Sequence, residues 1–242
     1  MTDRHLSLVT GASRGLGRGI ALALVAEGHE VLGLSRQAPE APFEQWAVDL
    51  GDAAPVAERL GAWLATQPPD RFASASLVNN AALLVTPGPL GAADPRAIAS
   101  AVRVGVEAPL LLTAAFLRAT RGWAGVRRVL HVSSGLGRHA MAGSAVYCAT
   151  KAALDHLARA QALEEAQLPD GARVVSLAPG VIDTDMQGQL RGADPAAFPN
   201  RATFVGLRES GRLDSADAAG AKVARFLLSD DFGREPVADV RG

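Results

Sequence analysis

The feature that most constrains the fold is a glycine-rich turn, which stands between a short apolar run and a helical run near the start of the chain. Residues 6–10 read LSLVT, residues 11–17 read GASRGLG, and a helical pattern follows from 18 to about 27. Glycines let the backbone approach a phosphate, and the first turn of a helix offers free N–H groups. This order predicts a site for a dinucleotide pyrophosphate, although the spacing Gly-x-x-x-Gly-x-Gly differs from the commoner Gly-x-Gly-x-x-Gly.

Strand-like and helix-like runs alternate along the rest of the chain. The predicted strands cover residues 29–34, 46–50, 75–78, 127–132 and 173–177, and the predicted helices cover 53–66, 95–120, 147–168 and 216–228. Such alternation predicts an α/β fold: a single-domain Rossmann-type doubly wound parallel sheet with helices on both faces. The 242 residues show no repeat or linker, so we expect residues 1–242 to form one domain.

The segment 187–212 departs from this alternation. It is rich in Gly, Pro and polar residues and has no clear hydrophobic period. We expect it to be a mobile lid over a substrate.

Composition and charge argue against several classes of partner. The net charge is −1, which gives no electrostatic reason to expect nucleic acid or an anionic membrane surface. The single cysteine, Cys148, cannot form an intramolecular disulfide, and the sequence offers no cysteine cluster for a metal. No apolar run approaches 18 residues, and the first strand begins too close to Met1 for a signal peptide, so we expect a soluble cytoplasmic protein.

The end of the second predicted strand indicates which dinucleotide binds. An acidic residue at this position binds the adenosine ribose hydroxyls, whereas a basic residue accommodates a 2′-phosphate. Ser35 and Arg36 occupy it, and Arg14 of the glycine turn is placed to converge on the same phosphate. We therefore predict NADP(H) rather than NAD(H). Asp49, at the end of the third predicted strand, is a candidate acceptor for the adenine amino group.

The only tyrosine, Tyr147, stands at a spacing from a lysine and a serine that indicates acid/base chemistry. Lys151 follows it by four residues, and Ser134 precedes it at the end of a predicted strand. On a helix, positions i and i+4 share one face, so the ammonium of the lysine would stabilise the phenolate of the tyrosine. Ser134 would hydrogen-bond a substrate oxygen and aim it at the phenol. These three residues predict proton transfer to an oxygen whose carbon exchanges a hydride.

These motifs together resemble a known family. With TGASRGLG at 10–17, NNA at 79–81, the Ser134, Tyr147 and Lys151 set, and PGVIDT at 179–184, all in order, the chain resembles the short-chain dehydrogenase/reductase family over essentially its whole length. The resemblance implies that Tyr147 is the general acid/base, that Lys151 binds the nicotinamide ribose and lowers the pKa of the tyrosine, and that Ser134 orients the substrate. The cofactor-binding residues implied in the same way are Gly11, Ser13, Arg14, Gly15, Leu16, Gly17, Ser35, Arg36, Asp49, Leu50, Asn79, Ala81, Tyr147, Lys151, Pro179, Gly180, Ile182, Thr184 and Met186.

A narrower likeness concerns the substrate. Segments 146–151, 162–165, 178–187 and 204–213 are similar to the branch that contains sepiapterin reductase and benzil reductase, which reduces vicinal dicarbonyl compounds with NADPH. The resemblance thus implies an NADPH-dependent carbonyl reductase for a benzil-like or sepiapterin-like compound. In sepiapterin reductases an aspartate near the C-terminus anchors the pterin, and Asp239 is the best match here.

One residue departs from the family pattern. The family usually carries an asparagine that holds a relay water in the helix before the fifth strand, and Gly105 stands there. Either the relay runs through backbone and water, or catalysis is slower. Two alternatives therefore stay open beside the reductase: an NADP-dependent alcohol dehydrogenase, and a non-catalytic NADP(H)-sensing regulator that Gly105 alone favours. The long helices at 95–120 and 147–168 resemble those that pair between subunits of the family, so we expect a homodimer or homotetramer.

Overall fold

The computed structural model describes residues 3–241, and a parallel sheet runs through its centre. Its strands are β1 (His5–Thr10), β2 (His29–Ser35), β3 (Glu44–Ala47), β4 (Ser74–Asn79), β5 (Val126–Val132), β6 (Arg173–Ala178) and β7 (Val237–Asp239). Their order is β3-β2-β1-β4-β5-β6-β7, and all neighbouring strands are parallel. The chain winds outward from β1 to β3, then returns to β4 beside β1 and winds the other way. The predicted doubly wound α/β fold is confirmed.

Helices cover both faces of the sheet, as the alternation of elements predicts. They are α1 (Gly15–Ala26), α2 (Ala53–Ala65), α3 (Pro95–Val102), α4 (Ala108–Ala119), α5 (Ala145–Glu165), α6 (Asp185–Gly192), α7 (Arg201–Glu209) and α8 (Ala216–Leu228). One core cluster holds Leu60 of α2 and Phe116 of α4, and a second cluster holds Ile20 of α1 and Val223 of α8. Because both faces of the strands are buried in this way, the strands read as nearly continuous apolar runs.

The predicted boundaries differ from the observed ones by a few residues. β3 ends at Ala47, so Asp49 and Leu50 lie in the turn after it, and α5 spans Ala145–Glu165 instead of 147–168. Strand β7 was not predicted. It has only three residues, Val237–Asp239, and its pairing with β6 depends on tertiary contact instead of a local pattern.

The predicted helix at 95–120 consists of α3 and α4 joined by a π-helical turn, Arg103–Glu107, with Gly105 at its middle. The stretch Pro95–Ala119 has 25 residues, and an 18-residue window within it has a mean hydropathy of 1.5, so its length and composition alone would allow a membrane span. This corrects the expectation that no apolar run approaches 18 residues. The stretch packs on the sheet through Leu112 and Phe116, which are fully buried, as in a core helix of a globular domain.

The predicted lid is largely helical. Helices α6 and α7 cover most of 187–212 and pack around Leu190, Phe198 and Phe204. Asp183, just before α6, pairs with Arg191 at 3.3 Å and with Arg208 of α7. These helices were not predicted, because helices of eight and nine residues are too short to show a clear hydrophobic period, and the role of the segment as a lid stays a prediction.

Helices α1 and α8 cross with their backbones in contact. A Cβ atom placed on Gly220 would lie 2.2 Å from the carbonyl carbon of Gly19, and one placed on Gly19 would lie 2.3 Å from the carbonyl oxygen of Ala216. Real Cβ atoms do not approach so closely, so the crossing requires glycine at both positions. It thereby fixes α1, whose first turn follows the glycine-rich loop.

We expect Gly220→Ala to lower the free energy of unfolding by at least about 2 kcal/mol, because the two backbones must move apart. Gly206→Ala in α7 is the matched control: its new methyl group would meet nothing within 4 Å, and alanine favours the helix by up to about 1 kcal/mol. Urea unfolding followed by circular dichroism measures both effects. Equal stability of the two variants would contradict the close crossing.

Candidate active site

The glycine-rich turn between β1 and α1 forms a cradle at the carboxyl edge of the sheet. Gly11 and Gly15 have φ angles of +69° and +55°, which favour glycine. A Cβ atom on Gly17 would lie 2.3 Å from the Gly11 carbonyl oxygen and 2.4 Å from the Asn80 amide nitrogen. Arg14 at the start of α1 makes no side-chain capping bond, so the first N–H groups of the helix remain available to an anion. The cradle therefore fits a dinucleotide pyrophosphate.

The loop after β4 holds this cradle in place. The hydroxyl oxygen of Thr10 accepts from the backbone N–H groups of Asn80 at 2.9 Å and Ala81 at 3.0 Å, and the Asn80 side chain donates to the Thr10 carbonyl at 2.9 Å. The loop thus ties β1 to β4, where the winding of the sheet reverses. Asn80 carries this tie and was missed as a site residue, because the sequence does not show which of two adjacent asparagines faces the turn.

The side chain of Asn79 lies in a buried polar network instead of the cradle. Its amide donates to the Thr113 hydroxyl at 3.0 Å and lies 3.2 Å from His131, whose other ring nitrogen is 2.9 Å from Gln161. Burial lowers the pKa of His131 to about 4, so this ring is neutral at pH 7. The Asn79 side chain joins β4 to α4 and β5, and the binding of the cofactor by Asn79 stays a prediction.

The two arginines predicted to bind a 2′-phosphate have different surroundings. Arg14 turns toward α6 and pairs with Asp185, while Arg36 is exposed after the end of β2. Ser35 beside it is buried. The carboxylate of Asp49 accepts the backbone N–H of Gly51 at 2.8 Å. Sequence reasoning could not find the partner of Arg14, because Asp185 is 171 positions away.

The segment after β6 adjoins the cradle. The methyl carbon of Thr184 would lie 3.7 Å from a Cβ atom on Gly15, and Ile182 is held by a parallel bridge to Asp214. Gly180 has a φ of +84°. Thr184 and the start of α6 at Asp185 therefore stand next to the glycine turn.

The predicted catalytic residues come together at the end of β5 and the start of α5. Tyr147 and Lys151 share one face of α5, and the Lys151 nitrogen lies 5.5 Å from the centre of the tyrosine ring. That nitrogen donates to the Val132 carbonyl at 2.7 Å, and the lysine is 3% exposed. Ser134 lies just beyond β5, and its hydroxyl oxygen accepts from the backbone N–H of Leu136 at 3.2 Å.

Burial dominates the electrostatics of this set. It raises the pKa of Tyr147, an effect that the hydrogen bond with Ser134 partly offsets. Burial also lowers the pKa of Lys151 to about 8, against the opposing effect of the Asp155 carboxylate. Lys151 is not among the groups that shift the pKa of Tyr147, so the expectation that it lowers this pKa stays a prediction. At pH 7 the phenol is protonated and the lysine is charged.

A narrow pocket opens beside Tyr147. It lies between the loop after β4 and the start of α5, and it is lined by Leu84, Val85, Thr86, Gly88, Leu90, Ala93, Gly143, Ser144, Ala145, Val146 and Tyr147. The buried hydroxyl of Ser144 has no hydrogen-bond partner within residues 3–241. Sequence reasoning missed this serine. It stands at the N-terminal end of α5 but does not cap the helix, unlike most serines there.

Asp239 is bound by the protein's own arginines. Its carboxylate contacts Arg241 at 2.7 Å and Arg138 at 3.9 Å, and the hydrogen bonds with Arg241 lower its pKa. The expectation that it anchors a substrate therefore lacks support from the contacts of this residue, which engage the carboxylate within the chain. In the part of the chain that the structure describes, no cluster of three His, Cys, Asp or Glu side chains could hold a metal ion.

The doubly wound sheet, the glycine cradle and the Ser134, Tyr147 and Lys151 set together define a Rossmann-type dinucleotide-binding protein. The family model for short chain dehydrogenases matches residues 73–194. Benzil reductase ((S)-benzoin forming) from Bacillus cereus is 30% identical over 235 residues, which cover 93% of this chain and 94% of the relative. Sepiapterin reductase from Meriones unguiculatus is 31% identical over 247 residues, which cover 93% and 92%. The chain belongs to the short-chain dehydrogenase/reductase family and is an oxidoreductase, as its motifs predict.

Solved structures of the same fold contain either nicotinamide dinucleotide. A 3-oxoacyl-[acyl-carrier protein] reductase from Brucella melitensis in complex with NAD has a TM-score of 0.81 and 25% identity, with 99% of this chain and 96% of that chain covered. A Beutenbergia cavernae chain described as an NAD(P)-dependent gluconate 5-dehydrogenase, with bound NADP, has a TM-score of 0.79 and 28% identity, with 98% and 94% covered. Because these similar structures contain NAD in one case and NADP in the other, similarity of fold does not determine which dinucleotide this chain binds.

Proposed function

We propose that this chain is an NADPH-dependent carbonyl reductase that acts on a vicinal dicarbonyl compound. The observation that carries the proposal is the position of Tyr147. Its side chain lines the narrow pocket, Ser134 lies close enough to oppose the rise of its pKa, and the Lys151 nitrogen lies 5.5 Å from the centre of its ring. This arrangement stands at the same sheet edge as the glycine cradle.

The residues of the set have separate roles in this reaction. NADPH, when bound, supplies the hydride. Tyr147 donates the proton to the carbonyl oxygen, since a phenol is protonated at neutral pH. Ser134 hydrogen-bonds the same oxygen. The Lys151 ammonium stabilises the phenolate that remains after the proton has moved. A protonated phenol suits reduction better than alcohol oxidation, which needs a base.

The pocket supports an apolar dicarbonyl as the substrate. Leu84, Val85 and Val146 offer apolar contact, and Ser144 offers a buried hydroxyl without a partner among the described residues, which suits a second carbonyl oxygen. Similarity to benzil reductase supports the same class. A pterin receives less support, because Arg138 and Arg241 already engage the Asp239 carboxylate.

We expect NADPH to be oxidised in the presence of benzil, and Tyr147→Phe to lower the turnover number about a thousandfold, since general acids contribute factors of this order. The variant should bind NADPH as the wild type does, measured by fluorescence titration. Deoxybenzoin, which lacks the second carbonyl, is the matched control substrate. A Tyr147→Phe variant with near wild-type turnover would remove the tyrosine from the mechanism, and equal turnover of both ketones would refute the dicarbonyl preference.

The cofactor preference rests on Arg36. This residue is exposed at the end of β2, where no acid is present to bind a ribose hydroxyl. We expect Arg36→Ala to weaken NADPH binding about tenfold or more, as loss of a charge-assisted hydrogen bond does, and to leave NADH binding unchanged. Arg234→Ala, at an exposed pair with Asp231, is the control. Equal weakening of both cofactors by Arg36→Ala would refute the 2′-phosphate contact.

We also propose that the protein is a homodimer or homotetramer through α3, α4 and α5. Val102, Leu110 and Leu163 on these helices are 43%, 43% and 71% exposed, and a second copy of the chain would cover them. Helices α3 and α5 are in contact, and a contiguous exposed apolar patch marks an interaction surface.

Leu110→Arg combined with Leu163→Arg should convert the oligomer to monomers, because a charge would be buried at the contact. The control is Val126→Arg, which places the same charge on an exposed apolar residue at the start of β5. Light scattering at micromolar concentration measures the mass. A monomeric wild type would contradict the proposal.

A further inference from the structure

A buried carboxylate lies one helical turn beyond Lys151. Asp155 is 2% exposed and occupies position i+4 from the lysine on α5, so both side chains share one face of the helix. One carboxylate oxygen accepts from the Ser176 hydroxyl of β6 at 2.7 Å, and the other accepts from Arg138 at 3.2 Å. A buried carboxylate destabilises the fold unless it is paired and hydrogen-bonded. The Asp155 carboxylate is both.

Arg138 belongs to the turn that begins at Ser134. Its guanidinium contacts Asp155 and also donates to the Ala238 carbonyl of β7 at 2.8 Å. A Cβ atom on Gly137 would lie 2.9 Å from the Asp155 carboxylate and 3.0 Å from the Lys151 carbonyl oxygen. The turn that carries Ser134 is therefore pressed onto α5 at the level of Lys151 and Asp155.

We propose that Asp155 is a positioning residue that serves both partners of the catalytic tyrosine: through Arg138 it fixes the turn that carries Ser134, and along α5 it keeps Lys151 as an ammonium. The Ser134 part of this inference rests on the proposed reductase function. The Lys151 part concerns only the protein itself.

The charged groups around Lys151 and Asp155 determine whether the pKa of Lys151 rises or falls when one of them is removed. Lys151 faces Asp155 on its own helix, the Tyr147 phenol one turn earlier, and the His131 ring on β5, which is neutral at pH 7 because its pKa is about 4. Asp155 faces Arg138 from the turn after β5, and Asp239 of β7 lies beyond that arginine. Asp155 is thus the acid that opposes the effect of burial on Lys151.

The chain offers a direct measurement, because Lys151 and Lys222 are its only lysines. Lysine labelled with ¹³C at Cε would give two NMR signals to titrate, with the exposed Lys222 as an internal control. In Asp155→Asn, which nearly preserves the shape of the side chain, the Lys151 midpoint should fall by about one pH unit or more. In Arg138→Ala the midpoint should rise, because a nearby positive charge is removed. Glu164→Gln, an exposed change on the same helix, should move neither signal.

Steady-state kinetics with NADPH and benzil complete the test. In Asp155→Asn the alkaline limb of kcat/KM should move to lower pH in step with the Lys151 midpoint, and both Asp155→Asn and Arg138→Ala should lower kcat about tenfold through the Ser134 turn. If the Lys151 midpoint is unchanged in both variants, the inference is overturned. If Asp155→Asn does not fold, an unchanged Lys151 midpoint in Arg138→Ala overturns it alone. If the wild type reduces no carbonyl, the proposed function fails, and the NMR titration still decides the role of Asp155.

Discussion

The burial of the Lys151 ammonium against the sheet is the constraint on which the catalytic region depends. The side chain donates to the Val132 carbonyl, and the lysine is 3% exposed. A cation removed from water loses its proton unless an opposite charge lies near, and Asp155 supplies that charge from the next turn of α5. Asp155 is itself buried, so it in turn needs the hydrogen bonds of Ser176 and Arg138. The buried Lys151 charge thereby requires polar partners on α5, on β6 and in the turn after β5: Asp155, Ser176 and Arg138.

The cofactor cradle depends on a different kind of constraint, which is space. Gly17 lies so close to Gly11 and Asn80 that no side chain fits, and Thr10 accepts the hydrogen bonds that hold the loop after β4 against the turn. These contacts join β1 to β4, the two strands at which the winding of the sheet reverses. The catalytic set is built on the neighbouring strand β5. The carboxyl ends of parallel strands meet at one edge of the sheet. They thus bring a phosphate cradle and a proton donor together although the two segments are far apart in the sequence.

Signals that are local in sequence were sufficient to predict the fold and the meeting of Tyr147 and Lys151 on one face of α5. The glycine turn, the alternation of strands and helices, and the i, i+4 relation of Tyr147 and Lys151 all depend on a few adjacent residues. What sequence reasoning missed depends on where side chains point after folding. It could not show that Arg14 would meet Asp185, that Asn80 instead of Asn79 would face the cradle, or that short helices would form in 187–212. The cytoplasmic location stays a prediction, since no observation on the structure bears on it.

Gly105 is the one feature of the sequence that favours a protein without turnover, and its packing offers another explanation. It lies in the π-helical turn, where a Cβ atom would be 3.3 Å from two side-chain carbons of Thr150. Thr150 is buried, donates to the Tyr147 carbonyl at 2.9 Å and directly precedes Lys151. A larger residue at 105 would therefore press on α5 at the level of the catalytic pair. Because close packing accounts for the glycine, its presence gives little support to a regulator that has lost catalysis.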